Sequence, residues 1–501
     1  MGRRKGGLDF TRDYHRRRKI KGREIALMLF IFLAALAVGI FVFFTLKKHL
    51  NQPEAEEKTP SPAPTPTEMV EDKENNGNSE KDEEDSEEPQ AAGPYGMWVV
   101  PAKEDEVEVE IPEEELWMED FVDTREKTRS KGIYMTSDAL RNRFDYILEL
   151  MDDTELNTVV IDIKDDDGRL TYAMTGELID SFGTARSFIP DIEGFIKTMK
   201  EHNVYLIARV VAFKDPLLVR TKPELGLHLS DGSVYKDYKG LGWLNPTKQE
   251  VLDYYVEIAQ NIADIGFDEI NFDYVRFPTE GKISELVYGD GEMTKIEAIS
   301  AAVKYMCEKI KPMGIFVSAD LFGAVIRSAV DQRIVGQDYQ ELALYLDYIC
   351  PMIYPSHYSD GYYGIEHPDT EPYNMIYAAL SDSNKVLSGI PEYRKRAEVR
   401  PWLQDFTASY LRHYIKYGPK QVREEIEATY DSGHSGWLLW NAAVNYTKGA
   451  LMTEEDADYA YAHRPTPTPS PTPTIPIPTK MPNAGQFIDS PWKRGEDATE
   501  K

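Results

Sequence analysis

QEVLDYYVEIAQNIADIGFDEINFDYVRFP, Gln249 to Pro278, contains one helix, one strand and a polar strand end. Val251, Tyr254, Tyr255, Ile258 and Ile262 recur at helical spacing, which predicts an amphipathic helix over Gln249 to Asp264. Glu269 to Phe272 (EINF) follows as a short strand. Alternation along it puts Asn271 and Asp273 on one face, and a carboxylate ending an apolar strand is costly to bury unless it is paired or used.

The same unit recurs on both sides. Strands are predicted at Gly132 to Thr136, Thr158 to Ile163, Tyr205 to Val211, Ile315 to Ala319, Tyr348 to Ile353, Pro401 to Gln404 and Gly436 to Leu439. Helical patterns separate them at Leu140 to Asp152, Ile192 to His202, Ile296 to Lys311 and Pro419 to Asp431. Val386 to Ile390 (VLSGI) competes for the place of the seventh strand, but Trp402 to Phe406 leaves the next helix a normal length. Strand-then-helix repeats without a Gly-rich phosphate loop after the first strand predict an α/β fold, a (β/α)8 TIM barrel, over 131–463.

The flanks read differently. Residues 1–24 are crowded with Arg and Lys, and Ile25 to Leu46 runs uncharged for long enough to cross a ~30 Å hydrocarbon core. No A-x-A cleavage site with a mature start stands out after Leu46, so a retained transmembrane helix is expected. The basic side places the N-terminus in the cytoplasm and the barrel outside, a single-pass cell-membrane protein. Residues 47–130 form an acidic, Pro-rich linker, in which Val107 to Ile111 alternates as a stray edge strand would, an alternative that packs Gly93 to Ser130 on the barrel. Residues 464–501 form a disordered tail, and Thr/Ser-Pro tracts at Thr59 to Thr67 and Pro465 to Thr479 favour extended polyproline II. The net charge of -29 argues against a nucleic-acid partner. Cys307 and Cys350 are too few for a disulfide framework and read as buried thiols.

In such a barrel the chemistry belongs where strands end. Asp162 and Lys164 close the second strand, Arg209 lies in the third, Asp273 and Arg276 close the fourth, and Asp320 the fifth. Tyr354 and His357 follow the sixth, Asp405 the seventh, Trp440 and Asn441 the eighth, with Tyr134 in the first and Trp402 in the seventh. Carboxylates on adjacent strands fall in the ~5–9 Å range used to cleave glycosidic bonds, and the aromatic residues supply flat faces for sugars. An Asp273–Arg276 ion pair that merely holds the loop is the structural alternative. Asp165 to Gly168 (DDDG) lacks the D-x-D-x-D-G spacing of a calcium loop, and His202, His228 and His357 lack metal-ligand spacing. No metal or cofactor is expected, and without H-E-x-x-H or G-x-S-x-G the zinc-peptidase and serine-hydrolase readings fall away.

KGIYMTSDAL, VVIDIKDDDG, NFDYVRFP, SADLFG, PMIYPSHY, PWLQDF and GWLLWNA, spread from Gly132 to Tyr446, resemble the glycoside-hydrolase-like TIM-barrel family of bacterial surface proteins, a domain of unknown function. The fourth strand is also similar to the chitinase signature GFDGIDIDWEYP. Asp268 and Asp273 match it, Asn271 replaces an aspartate, and Val275 stands where that signature carries its acid glutamate. An amylase-like arrangement is the nearer analogy, and it implies Asp273 as nucleophile or base and Asp320 as general acid. Asp162 and Asp405 are reserve carboxylates, and Tyr134, Lys164, Arg209, Arg276, Tyr354, His357, Trp402, Trp440 and Asn441 are expected to bind substrate. The expected function is hydrolysis of extracellular or cell-wall polysaccharide. The alternatives are a non-catalytic glycan-binding barrel on the cell surface and a barrel that serves only as a spacer.

Overall fold

Short β-branched and aromatic runs alternate with amphipathic helices, and the chain winds them into a closed ring. The computed structural model describes residues 118, 121–289 and 291–464. The expected transmembrane helix at 25–46, the edge strand at 107–111 and both Thr/Pro tracts lie outside the described residues. Among those described, no helix is long and apolar enough to cross a membrane.

The barrel strands are β1 (Lys131–Met135), β2 (Thr158–Lys164), β3 (Tyr205–Val211), β4 (Glu269–Asp273), β5 (Phe316–Phe322), β6 (Tyr348–Met352), β7 (Trp402–Gln404) and β8 (Trp437–Trp440). All pair in parallel, and the ring closes through Lys131 beside Trp437 and Met352 beside Trp402. The helices are α1 (Ser137–Asn142), α2 (Phe144–Asp153), α3 (Glu177–Phe182), α4 (Ile192–Glu201), α5 (Pro216–Thr221), α6 (Gln249–Asp264), α7 (Lys295–Ile310), α8 (Ala329–Val335), α9 (Tyr339–Tyr345), α10 (Pro372–Leu387), α11 (Pro419–Asp431) and α12 (Glu454–Ala462). Sheet and helices bury one apolar layer between them, with Ile161, Ala208, Val210 and Leu403 fully covered. Tyr134, Val160, Ile207, Tyr348, Cys350, Trp402 and Leu438 fill the interior from the opposite strand faces. Covering both faces explains why these strands read as near-continuous apolar runs.

Three departures from the sequence reading have local causes. The first predicted helix is two, α1 and α2, because Arg143 leaves helical geometry and donates to the Ala443 carbonyl at 3.0 Å. The VLSGI run is helical as far as Leu387, the end of α10, and the seventh strand falls at Trp402. A two-residue strand, Glu398–Val399, precedes it on β6, and Pro401, which has no N–H to give, separates the two. Finally, the folded part starts before residue 131. Arg125 pairs with Asp347 at 2.9 Å and stacks 4.3 Å from the Phe316 ring, so the run from 121 to 130 is tied to the ends where β5 and β6 begin. Residues 121–130 form neither helix nor strand, so no periodicity marks where the packed chain begins. Both cysteines are buried free thiols.

Candidate active site

Inward-facing positions near the strand ends form a ring of contacts around the barrel mouth. From β1, the Tyr134 hydroxyl donates to Asp162 on β2, and Arg209 on β3 donates to the other oxygen of Asp162 at 2.6 Å. The same guanidinium turns to β4 and grips Asp273, with Nε at 3.1 Å. Asp320 on β5 accepts from Asn271 on β4 at 3.0 Å and from the Trp402 indole on β7 at 2.7 Å. Trp402 meets Trp440 of β8 edge-on at 5.9 Å, and Trp440 packs 4.3 Å from Tyr134. Tyr354, just beyond β6, is buried beside His357.

Register explains the convergence. Asp162 lies opposite Arg209, Arg209 opposite Asn271, and Phe272 opposite Ala319. One step on from that last pair, Asp273 closes β4, while Asp320 lies within β5 two residues short of its end at Phe322, and neighbouring strands run about 4.8 Å apart.

The electrostatics divide these carboxylates. Burial, then the neighbouring Asp273 charge, pushes Asp320 up to about 8 against the pull of its Trp402 and Asn271 hydrogen bonds. Burial likewise raises Asp162 to about 6, although Arg209 and Tyr134 oppose it. Asp273 instead receives the Arg209 guanidinium and the Tyr274 backbone N–H at 2.6 Å. Asp166, half-exposed above them, is held at about 2, because Lys214 and Arg209 together outweigh the burial that would raise it. Burial drops His357 to about 4, which leaves its imidazole neutral. Tyr274 adopts a left-handed backbone (φ 52°), a costly conformation that turns the chain sharply after Asp273.

Other expected site residues lie apart from this ring. Lys164 does not reach the mouth. A bulge after Asp162 places it opposite Val210 and flips it outward, where it is fully buried and pairs with Asp215 at 2.8 Å. Asp405 follows inward-facing Gln404 and so points out of the barrel, where Thr447 donates to both its oxygens. Asn441 braces the same turn by donating to the carbonyls of Asp405 and Asn445. Arg276 makes no ion pair with Asp273. Its guanidinium lies among Trp243, Tyr274 and Phe322 at 5.0, 5.0 and 4.5 Å and donates to the Phe277 carbonyl. Asp165 to Gly168 closes as a turn in which Arg169 pairs with Asp165 and Asp167, and Gly168 has φ +86° with no room for a Cβ beside Asp215. Trp243 went unread because it sits in the long segment after β3, where no local pattern relates it to the end of β4. Among the described residues, the one grouping of metal-ligand type is Asp360, His367 and His413, on the loops after β6 and β7.

Against known proteins, residues 132–446 match the family model described as "Putative glycosyl hydrolase domain". The chain belongs to that family. The match runs from β1 past β8 and thus takes in the whole ring of mouth residues. A hypothetical protein from Ruminiclostridium thermocellum is 34% identical over 38% of this chain and 96% of its own, with a TM-score of 0.35. The PgaB (BpsB) glycoside hydrolase domain from Bordetella bronchiseptica is 13% identical over 63% of this chain and 94% of its own (TM-score 0.45). Alpha-L-fucosidase isoenzyme 2 from Paenibacillus thiaminolyticus is 14% identical over 67% and 50% (TM-score 0.44). No curated protein matches the chain.

Proposed function

We propose that this protein is a glycoside hydrolase acting on extracellular or cell-wall polysaccharide, with Asp320 as general acid and Asp273 as nucleophile or base. The observation that carries this reading is the contrast between the two side chains. Asp320 is buried and pushed up to about 8, so it keeps a proton to give to a departing glycosidic oxygen at neutral pH. Asp273, gripped by Arg209, faces the same space from the next strand. Arg209 orients the Asp273 and Asp162 carboxylates and balances their charge. Tyr134, Trp402, Trp440 and Tyr354 supply the aromatic walls, and the neutral His357 is a hydrogen-bonding partner beside them.

The uncharged run at 25–46, preceded by a basic segment, supports a barrel held outside the cell membrane. Protease added to intact cells then removes the barrel and spares an N-terminal tag.

The test of function is release of new reducing ends by the full chain from a panel of cell-wall and plant polysaccharides, beside Asp273→Asn and Asp320→Asn. Release by the parent that both variants lose, with circular dichroism unchanged, supports the hydrolase. Val275, at the position of the chitinase acid, is buried in the apolar layer and offers no second acid. Glycan binding without any release therefore supports the lectin reading.

A further inference from the structure

The loop between β6 and α10 carries Asp360 and His367, and the loop between β7 and α11 carries His413. The fold brings the three together: their ligand atoms lie within 4.8 Å of one another. Asp360 offers one oxygen to each ring, Oδ1 at 3.1 Å from His367 Nδ1 and Oδ2 at 3.4 Å from His413 Nδ1. The two imidazoles sit with centroids 3.7 Å apart. His367 Nδ1 is buried and has no hydrogen-bond partner although the carboxylate oxygen is so near. Ligands about 2.0–2.2 Å from a tetrahedral ion stand roughly 3.4 Å apart, and the two Asp360–imidazole separations, 3.1 and 3.4 Å, are close to that.

We propose that Asp360, His367 and His413 bind a divalent transition-metal ion of the zinc type. Two imidazoles and one carboxylate favour such an ion over calcium or magnesium, which take oxygen ligands. Three protein ligands leave a fourth position for water or another donor.

The ion cross-links two loops of the barrel mouth. One carries Ser356 and His357, the other Phe406, and the Asp369 carboxylate already braces them by accepting from Gln404 at 2.9 Å and from the Ile415 N–H at 3.3 Å. Binding therefore stiffens the wall of the groove from outside the catalytic ring. This inference is independent of the hydrolase reading, since neither the ligands nor the test involves turnover.

The experiment titrates zinc chloride alone into the tag-free full chain, stripped with EDTA and dialysed, by calorimetry and by thermal melting. Expected is one zinc per chain and a melting temperature that rises with zinc, because an ion that binds only the folded state stabilises it by mass action. His367→Gln, His413→Gln and Asp360→Asn each weaken binding by about tenfold or more. All three side chains are partly or fully exposed, so the metal-free variants melt with the parent. Calcium chloride at the same concentration leaves the melting temperature unchanged. The proposal is overturned if the folded parent takes up no zinc, or if the His367→Gln/His413→Gln double variant binds it with the parent's stoichiometry and affinity.

Discussion

Two ionic clusters lie along the axis of this barrel, and they are built on opposite principles. Near the ends where the strands begin, Glu269 and Arg400 form a forked pair that is almost fully buried. Ser318 and Tyr205 donate to the same carboxylate, Ser130 accepts from the guanidinium, and the Tyr348 ring lies 4.3 Å from it. One acid meets one base, and both carboxylate oxygens of Glu269 are hydrogen-bonded. At the opposite ends, Arg209 pairs with Asp162 and Asp273 and reaches Asp166, which Lys214 also holds, while Asp320 beside them has the uncharged Asn271 and Trp402 as partners, so acids outnumber bases. Balance makes the first cluster a brace, whereas imbalance in the second leaves a surplus buried acid that keeps its proton, the property on which the proposed activity rests. A barrel places its chemistry at the end where strands finish, and here the charge arithmetic alone separates that end from the other.

Breaking each cluster should give opposite phenotypes. The largest effect is on turnover: Asp273→Asn or Asp320→Asn lowers kcat by about a thousandfold or more, roughly 4 kcal/mol of barrier, with the fold retained by circular dichroism. Glu269→Gln does the reverse. It strands Arg400 in the interior and costs about 3–5 kcal/mol in urea unfolding, while the pH profile of the remaining folded enzyme keeps its shape. Lys164→Met separates the same two roles at a site where the sequence suggested function. It leaves Asp215 buried without its cation and costs about 3 kcal/mol of stability, and kcat/KM falls no further than the unfolded fraction explains.

A smaller effect appears on titration. The folded value of Asp320 is raised from 3.8 to about 8, so its favourable contribution is complete below pH 3.8, declines as pH rises and is gone above about 8. Asp320→Asn removes this dependence, so calorimetric scans of variant and parent diverge progressively between pH 4 and 8, with the variant gaining. In activity, the same proton sets the alkaline limb of kcat/KM. The smallest change is expected of Trp402→Phe, which removes a hydrogen bond that favours ionised Asp320 and so moves that alkaline limb to higher pH. A limb that moves downward contradicts the assignment.

Periodicity made the strands legible because burial on both faces forces apolar runs; alternation put Asp273 on the face of Asn271, and the strand-end positions of Asp162, Arg209 and Asp320 likewise turn inward. The failures are failures of parity. The bulge after Asp162 reverses Lys164, and nothing in VVIDIKDDDG announces a bulge. Asp405 and Asn441 were read as strand-end groups, yet each lies one residue beyond an inward-facing Gln404 or Trp440 and turns away from the mouth. Arg276 is three residues from Asp273 in the chain, but the left-handed turn at Tyr274 sends it to the aromatic rings instead. The Asp360, His367 and His413 grouping could not be seen at all, because its ligands come from two loops with no fixed spacing.

The central claim is that Asp320 holds a proton where ordinary carboxyls have lost theirs. Infrared difference spectra of the parent against Asp320→Asn, recorded without substrate across a pH series, test it directly. Expected is a protonated carboxyl band at neutral pH that is present only in the parent and disappears as pH rises through about 8. No such band at pH 6, with the protein folded, would contradict the division between acid and nucleophile on which the proposed activity rests.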